Sequence, residues 1–318
     1  MKVIYLCEKE ESIRRVFGTD DTVYTKADVL ENPKVFCDTE YIFSTWGMPS
    51  FTEVEIKTYL PNLKAIFYGA GSVQAFARPF LNCGVKVFSA WAANAVPVAE
   101  YTVAQIILAN KGFFRTMRYT DQTVARKEAG NFPGNYGAKI GIIGAGMIGK
   151  LVINMLKQYN LEVLVFDPFL LDAKADEFGV KKVDLETIFN ECQVVSNHLA
   201  NNEHTKGMLN GALFKKMLPY ATFLNTGRGA QVVEADLIKV LKERPDLIAI
   251  LDVTFPEPPE QDSELYTLEN CILTPHIAGS SGNEVRRMGE YTETEYQNFI
   301  QNHPCKYEVT LEMLKTMA

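Results

Sequence analysis

The sequence predicts an α/β protein built from two doubly wound parallel sheets, and three observations carry that expectation. The chain has 318 residues, more than one ordinary core accommodates and enough for two. From residue 140 onward, short apolar runs alternate with stretches of helical period, the pattern of a parallel sheet covered by helices on both faces. The first hundred residues also begin with a strand and contain further ones. The expected division is a first domain of residues 1–96 plus 285–318 and a second of residues 97–284.

In chain order, Lys2 to Cys7 reads as a strand ended by the charged run Glu8 to Glu11; its apolar stretch is too short for a secretory core. Further strands fall at about 40–44, 64–68 and 85–88. Pro97 to about Ala129 reads as one long helix, or as a helix broken near Gly112. Its first half is apolar nearly all round but interrupted by Glu100 and Gln105, which predicts a core helix and no membrane span. In its second half Phe113, Phe114 and Met117 stand among Arg115, Arg118 and Arg126, and either a dimer contact or intramolecular packing accounts for them. Strands are expected at 140–143, 163–166, 193–196, 222–225, 248–251 and 271–274. Ser281-Gly282-Asn283-Glu284 reads as a capping box, with Val285, Met288, Tyr291 and Phe299 at helical spacing behind it. That tail helix should return to the first domain, so the chain crosses twice, near 97 and 284, with a hinge and an inter-domain cleft.

Composition narrows the function. The chain is 47% hydrophobic and 22% charged, and its net charge of −7 comes without a basic cluster, which argues against non-specific nucleic-acid binding. Six cysteines are widely spaced with no paired motif, so they read as reduced, mostly buried residues of a cytoplasmic protein; no metal site is expected.

The strand at 140–143 runs into Gly144-Ala145-Gly146-Met147-Ile148-Gly149. Gly144 allows the tight turn, Gly146 lets a pyrophosphate approach, and Gly149 lets the helix pack on the strand, with Met147 and Ile148 opening a helix whose N-terminus faces the phosphates. Val163 to Phe166 ends in Asp167, where a carboxylate can accept both hydroxyls of an adenosine ribose. Three more signals follow strand ends: Asn225-Thr226-Gly227-Arg228-Gly229, Asp252 to Pro258, and Thr274 to Gly279. In a doubly wound sheet all of these share the carboxyl edge, where ligands bind. The set suits hydride transfer at a 2-hydroxy acid. The Arg228 fork can hold a carboxylate bidentately. The His276 imidazole can give a proton to a carbonyl oxygen and take it back. Glu257 beside it would stabilise imidazolium and fix the tautomer.

With those motifs in that order, the chain resembles the D-isomer-specific 2-hydroxyacid dehydrogenase family over nearly its whole length. The resemblance implies two Rossmann-like or flavodoxin-like domains, NAD as cofactor and a homodimer through the cofactor domains. It implies Arg228, Glu257 and His276 as the catalytic set, and Asp252 against the nicotinamide carboxamide. Thr205, Thr226, Gly227, Ala278 and Gly279 are implied as further cofactor-side residues. Ala70, Gly71 and Ser72 resemble the substrate loop, and Asn94 to Glu100 the start of the inter-domain helix. Three departures bear on the substrate. Val73 stands where the family usually carries Asp. Ser44-Thr45-Trp46-Gly47 stands where phosphate-binding members resemble Arg-Ser-x-Thr, and no regulatory extension follows residue 318. A small, unphosphorylated 2-oxo or 2-hydroxy acid is expected. Trp46 is read as either a cleft wall or a core residue, His198 as near the cofactor, and His204 and His303 as solvent-facing. Formate oxidation on the same fold is disfavoured, because that branch resembles Gln at the position of Glu257. The alternative from another class is a dinucleotide-sensing, corepressor-like interaction protein.

Overall fold

The computed structural model describes residues 2–315. Two compact units emerge, one of residues 1–95 with 280–318, the other of residues 96–279.

The first unit holds a six-stranded sheet, β1 (Lys2–Leu6), β2 (Val23–Tyr24), β3 (Thr39–Ser44), β4 (Ala65–Tyr68), β5 (Lys86–Ser89) and a late strand β13 (Glu308–Val309), in the order β13-β5-β4-β3-β1-β2. The chain winds one way from β1 and the other way from β3, so its switch point lies between them. Buried Ile4, Leu6, Ile42, Ile66 and Val87 face one helical layer. On the other face Phe43, Phe67 and Phe88 meet Tyr296 and Phe299 of the tail helix Val285–Ile300, with Phe67 and Phe88 stacked at 5.0 Å. That helix lies close because residue 289 is Gly: a Cβ there would stand 2.2 Å from the Val16 carbonyl oxygen. The tail therefore returns to the first unit. One detail departs from an all-parallel sheet, since β13 pairs antiparallel with β5. Two-residue edge strands such as β2 and β13 are too short to leave a period in the sequence.

The second unit holds β6 (Tyr136–Ile143), β7 (Asn160–Phe166), β8 (Lys181–Lys182), β9 (Val194–Asn197), β10 (Thr222–Asn225), β11 (Ile248–Leu251) and β12 (Cys271–Leu273), all parallel, in the order β12-β11-β10-β9-β6-β7-β8. β9, β10 and β11 are buried at every residue, as strands covered on both faces must be. The switch point falls between β6 and β9, beside the glycine turn.

The long helix begins at Trp91, six residues before the expected start, and contains Pro97. It stops at Asn110; Gly112, at φ +70°, opens a separate short helix, and Gln122–Ala129 forms a third. Among the described residues Trp91–Asn110 is the one helix long and apolar enough to cross a membrane, but Ala99, Val103, Ile106 and Ala109 are buried in the second unit's core. All six cysteines are free; Cys7, Cys192 and Cys271 are buried, and Cys37 is exposed, so burial holds for half of them.

Candidate active site

Three loops leave the carboxyl ends of the adjacent strands β10, β11 and β12 and bring the expected triad together. His276 Nδ1 lies 2.6 Å from Glu257 Oε1, both side chains being about half exposed, at 48% and 42%. An ionised carboxylate only accepts, so Nδ1 carries the proton and donates it, leaving Nε2 for another partner. His276 sits at φ +54°, a left-handed conformation that costs a non-glycine residue about 1 kcal/mol. Asp252 holds it there. Its main-chain oxygen accepts the His276 N–H at 3.1 Å, and its 2%-exposed carboxylate accepts Thr274 Oγ1 (2.5 Å), Ile277 N (2.9 Å) and Ala278 N (2.9 Å). The amide of Ala278 is thus taken up within the turn.

Arg228 follows β10, its Nη1 donating to the Gly227 carbonyl at 2.8 Å. The turn reaches the Glu257 loop because residue 229 is Gly: a Cβ there would lie 1.9 Å from the Thr254 carbonyl carbon. Burial lowers the pKa of the guanidinium from its usual value, and the charge of Glu257 opposes that effect. Arginine still remains cationic at any working pH. The arrangement places a partly buried cation near a hydrogen-bonded imidazole–carboxylate pair.

The glycine turn fits a dinucleotide. Gly144 has φ +93°, and a Cβ on it would lie 2.9 Å from the His198 main chain; a Cβ on Gly149 would lie 2.0 Å from the Gly144 oxygen. A Cβ on Gly146 would meet nothing within 4 Å, and no side chain caps the helix Met147–Leu156 that Gly146 opens. That leaves open space at the helix N-terminus. Asp167 is fixed at the end of β7 by accepting Ala145 N and Phe169 N, each at 2.7 Å.

Two threonines face inward. Thr205 Oγ1 donates to Ala200 O at 2.7 Å within its own loop, and Thr226 Oγ1 lies 3.3 Å from both His198 Nδ1 and Thr102 Oγ1. His198 is buried, with Nε2 2.9 Å from Ser196 Oγ, and burial lowers its pKa to about 3. Between that value and the unfolded value near 6.5 only the unfolded chain takes the proton, so stability falls as pH drops through this window. His198→Gln should remove about 2 kcal/mol of the acid destabilisation expected between pH 7 and pH 5. Urea midpoints of both proteins at the two pH values measure it, and an identical acid loss in the variant rejects the assignment. His204 and His303 are exposed.

In the first unit, Ala70, Gly71 and Ser72 follow β4, and Ser89 Oγ donates to the oxygens of Ala70 (2.9 Å) and Gly71 (2.6 Å). Val73 is fully buried in the core, a position that would desolvate a carboxylate. Trp46 follows β3 and is 38% exposed, with its oxygen accepting Cys7 Sγ at 3.3 Å.

Fold and site together define a dinucleotide-binding α/β protein with a hydrogen-bonded imidazole–carboxylate pair at the carboxyl edge. Residues 103–278 match the profile of the D-isomer specific 2-hydroxyacid dehydrogenase, NAD binding domain, and the chain belongs to that family. The second unit is therefore its NAD-binding domain. The chain is 30% identical over 236 residues to a D-3-phosphoglycerate dehydrogenase of Archaeoglobus fulgidus, covering 73% of this chain and 44% of the relative. It is also 30% identical over 277 residues to a formate dehydrogenase of Neurospora crassa, covering 83% of this chain and 74% of the relative. The chain spans about half the length of the first curated relatives it matches. Its fold is that of the NAD-complexed D-isomer specific 2-hydroxyacid dehydrogenase from Lactobacillus delbrueckii ssp. bulgaricus, with TM-score 0.78, 20% identity, and 98% and 100% of the two chains covered.

Proposed function

We propose that this chain interconverts a small, unphosphorylated D-2-hydroxy acid and its 2-oxo acid with NAD(H). The observation that carries the reading is the 2.6 Å Glu257–His276 pair beside the Arg228 turn, on the sheet edge that also bears the glycine turn. Bound NADH supplies the hydride. Gly144 to Gly149 would hold the pyrophosphate and Asp167 the adenosine ribose. Arg228 holds the substrate carboxylate and polarises the adjacent carbonyl. Glu257 accepts a hydrogen bond from Nδ1–H of His276 and stabilises its imidazolium form, whose Nε2 gives its proton to the carbonyl oxygen and recovers it in the reverse direction, Nδ1 keeping its own. Exposed Phe113 (42%) and Met117 (62%) on the second unit support pairing with a second copy of the chain through that unit.

The test is NADH and NADPH consumption across a panel of 2-oxo acids that includes a phosphorylated one. Asp167 presents like charge to a 2′-phosphate, and no Arg follows it in Pro168-Phe169-Leu170, so NADH should lead by at least about tenfold in kcat/KM. Equal turnover with NADPH would sink the cofactor assignment. NADH binding without turnover of any oxo acid would favour the dinucleotide-sensing alternative.

A further inference from the structure

The turn that carries Arg228 rests on three side-chain amides, Asn197, Asn225 and Gln231, each 0% exposed. Asn197 Nδ2 donates to Asn225 Oδ1 (2.9 Å) and to Gln231 Oε1 (2.6 Å). Gln231 Oε1 also accepts the Arg228 N–H (3.2 Å), while Gln231 Nε2 donates to the carbonyls of Leu199 (2.8 Å) and Ala200 (3.0 Å). Asn225 completes the set: its Oδ1 accepts Gly227 N (3.1 Å) and its Nδ2 donates to Arg228 O (3.2 Å). The main-chain N–H and C=O of Arg228 are thus both held by side chains. The space is filled by this lattice, since a Cβ on Gly227 would lie 2.9 Å from both Asn197 Nδ2 and Gln231 Oε1.

Burying three amides is costly unless each is bonded, and an apolar side chain at 197 or 231 would fill the same volume without that demand. What the amides add is direction. We propose that Gln231, acting with Asn197, is a positioning residue that fixes the Arg228 peptide and ties it to the loop after β9, so that the guanidinium meets the substrate carboxylate at one place. This rests on the reading of Arg228 as carboxylate anchor. The lattice is uncharged, so its effect does not depend on pH, unlike that of the acid–base pair.

The experiment compares Gln231→Leu, Gln231→Glu and Arg228→Lys in the full chain. The best 2-oxo acid substrate gives KM and kcat, NADH fluorescence titration gives the cofactor Kd, and hydrogen exchange of the free protein follows residues 225–231. Gln231→Leu leaves Arg228 N without its side-chain acceptor and Asn197 Nδ2 with Asn225 Oδ1 alone, and it should raise KM about thirtyfold, with kcat within about fivefold and NADH Kd within about twofold. Exchange at the Gly227 and Arg228 amides should quicken by about tenfold or more. Gln231→Glu keeps the accepting oxygen, and because burial favours the neutral carboxyl it retains one O–H donor for the Leu199 or Ala200 carbonyl, so its KM should rise only about threefold to fivefold. Should Gln231→Leu fail to fold, Gln231→Glu decides alone. An unchanged KM in whichever Gln231 variants fold, while Arg228→Lys raises KM, overturns the proposal and leaves the lattice a fold element. An unchanged KM in Arg228→Lys as well overturns the anchor reading beneath it.

Discussion

His276→Gln should lower kcat for 2-oxo acid reduction roughly a thousandfold, because a positioned general acid contributes about 10² to 10⁴ in rate. Glutamine fills much of the imidazole volume and can still hydrogen-bond a carbonyl, but it holds no transferable proton at neutral pH. NADH binding should stay within about twofold, since the glycine turn and Asp167 lie on other loops of the same edge. The pairing with Glu257 sharpens the test. Glu257 touches His276 at 2.6 Å and influences Arg228 only through its charge. If its main part is to orient the imidazole, Glu257→Gln alone should cost about tenfold to a hundredfold in kcat, and the double variant should be no slower than His276→Gln. A double variant slower by the full product of the two single effects would mean that Glu257 works through Arg228, and the acid–base pair proposed here would be wrong.

The parts of this protein that were legible in its sequence are those where chemistry imposes residue types at fixed spacing. The glycine turn, Asp167 and the three loops after β10, β11 and β12 were readable because close backbone approach admits only Gly and because all five sites follow apolar runs. The buried strands β9, β10 and β11 were readable for the same reason. Less was legible where local pattern is weak. Two residues of β2, β8 or β13 are held by their neighbours in the sheet and carry no period of their own. The start of the long helix at Trp91 was missed because Pro97 resembles a first-turn residue, whereas here it lies within the helix. Asp252 shows a third kind of gap. Its sequence context pointed to the cofactor, but the part visible in the fold is structural: it carries the strained His276 turn. The amide lattice was invisible for a related reason, since Asn197 and Gln231 meet across 34 positions of chain. The one hint was polar Ser196 and Asn197 ending an otherwise apolar strand.

Arg228→Lys should reduce kcat/KM for the oxo acid by about 10² to 10³, in KM and kcat together, with NADH Kd nearly unchanged. The guanidinium offers two parallel N–H donors to a carboxylate, and each charge-assisted hydrogen bond is worth about 1.5–3 kcal/mol; an ammonium at the same place keeps charge and loses the fork. The surroundings of residue 228 add a second signature. Burial already lowers the pKa of the arginine, which stays charged regardless, but a lysine in that place has far less margin. Desolvation disfavours the ammonium, so its pKa falls and its charge is lost as pH rises; the nearby charge of Glu257 only partly offsets this. KM of Arg228→Lys should therefore climb between about pH 7 and pH 9, by an amount the native enzyme does not show, because arginine does not titrate there. Measuring KM for one oxo acid across that range in both proteins separates the effects: the loss at pH 7 reports the fork, and the further loss above it reports burial. A variant whose KM runs parallel to the native enzyme at every pH would place the side chain in water, and a variant altered only in NADH Kd would make Arg228 a cofactor residue and send the search for the carboxylate anchor elsewhere.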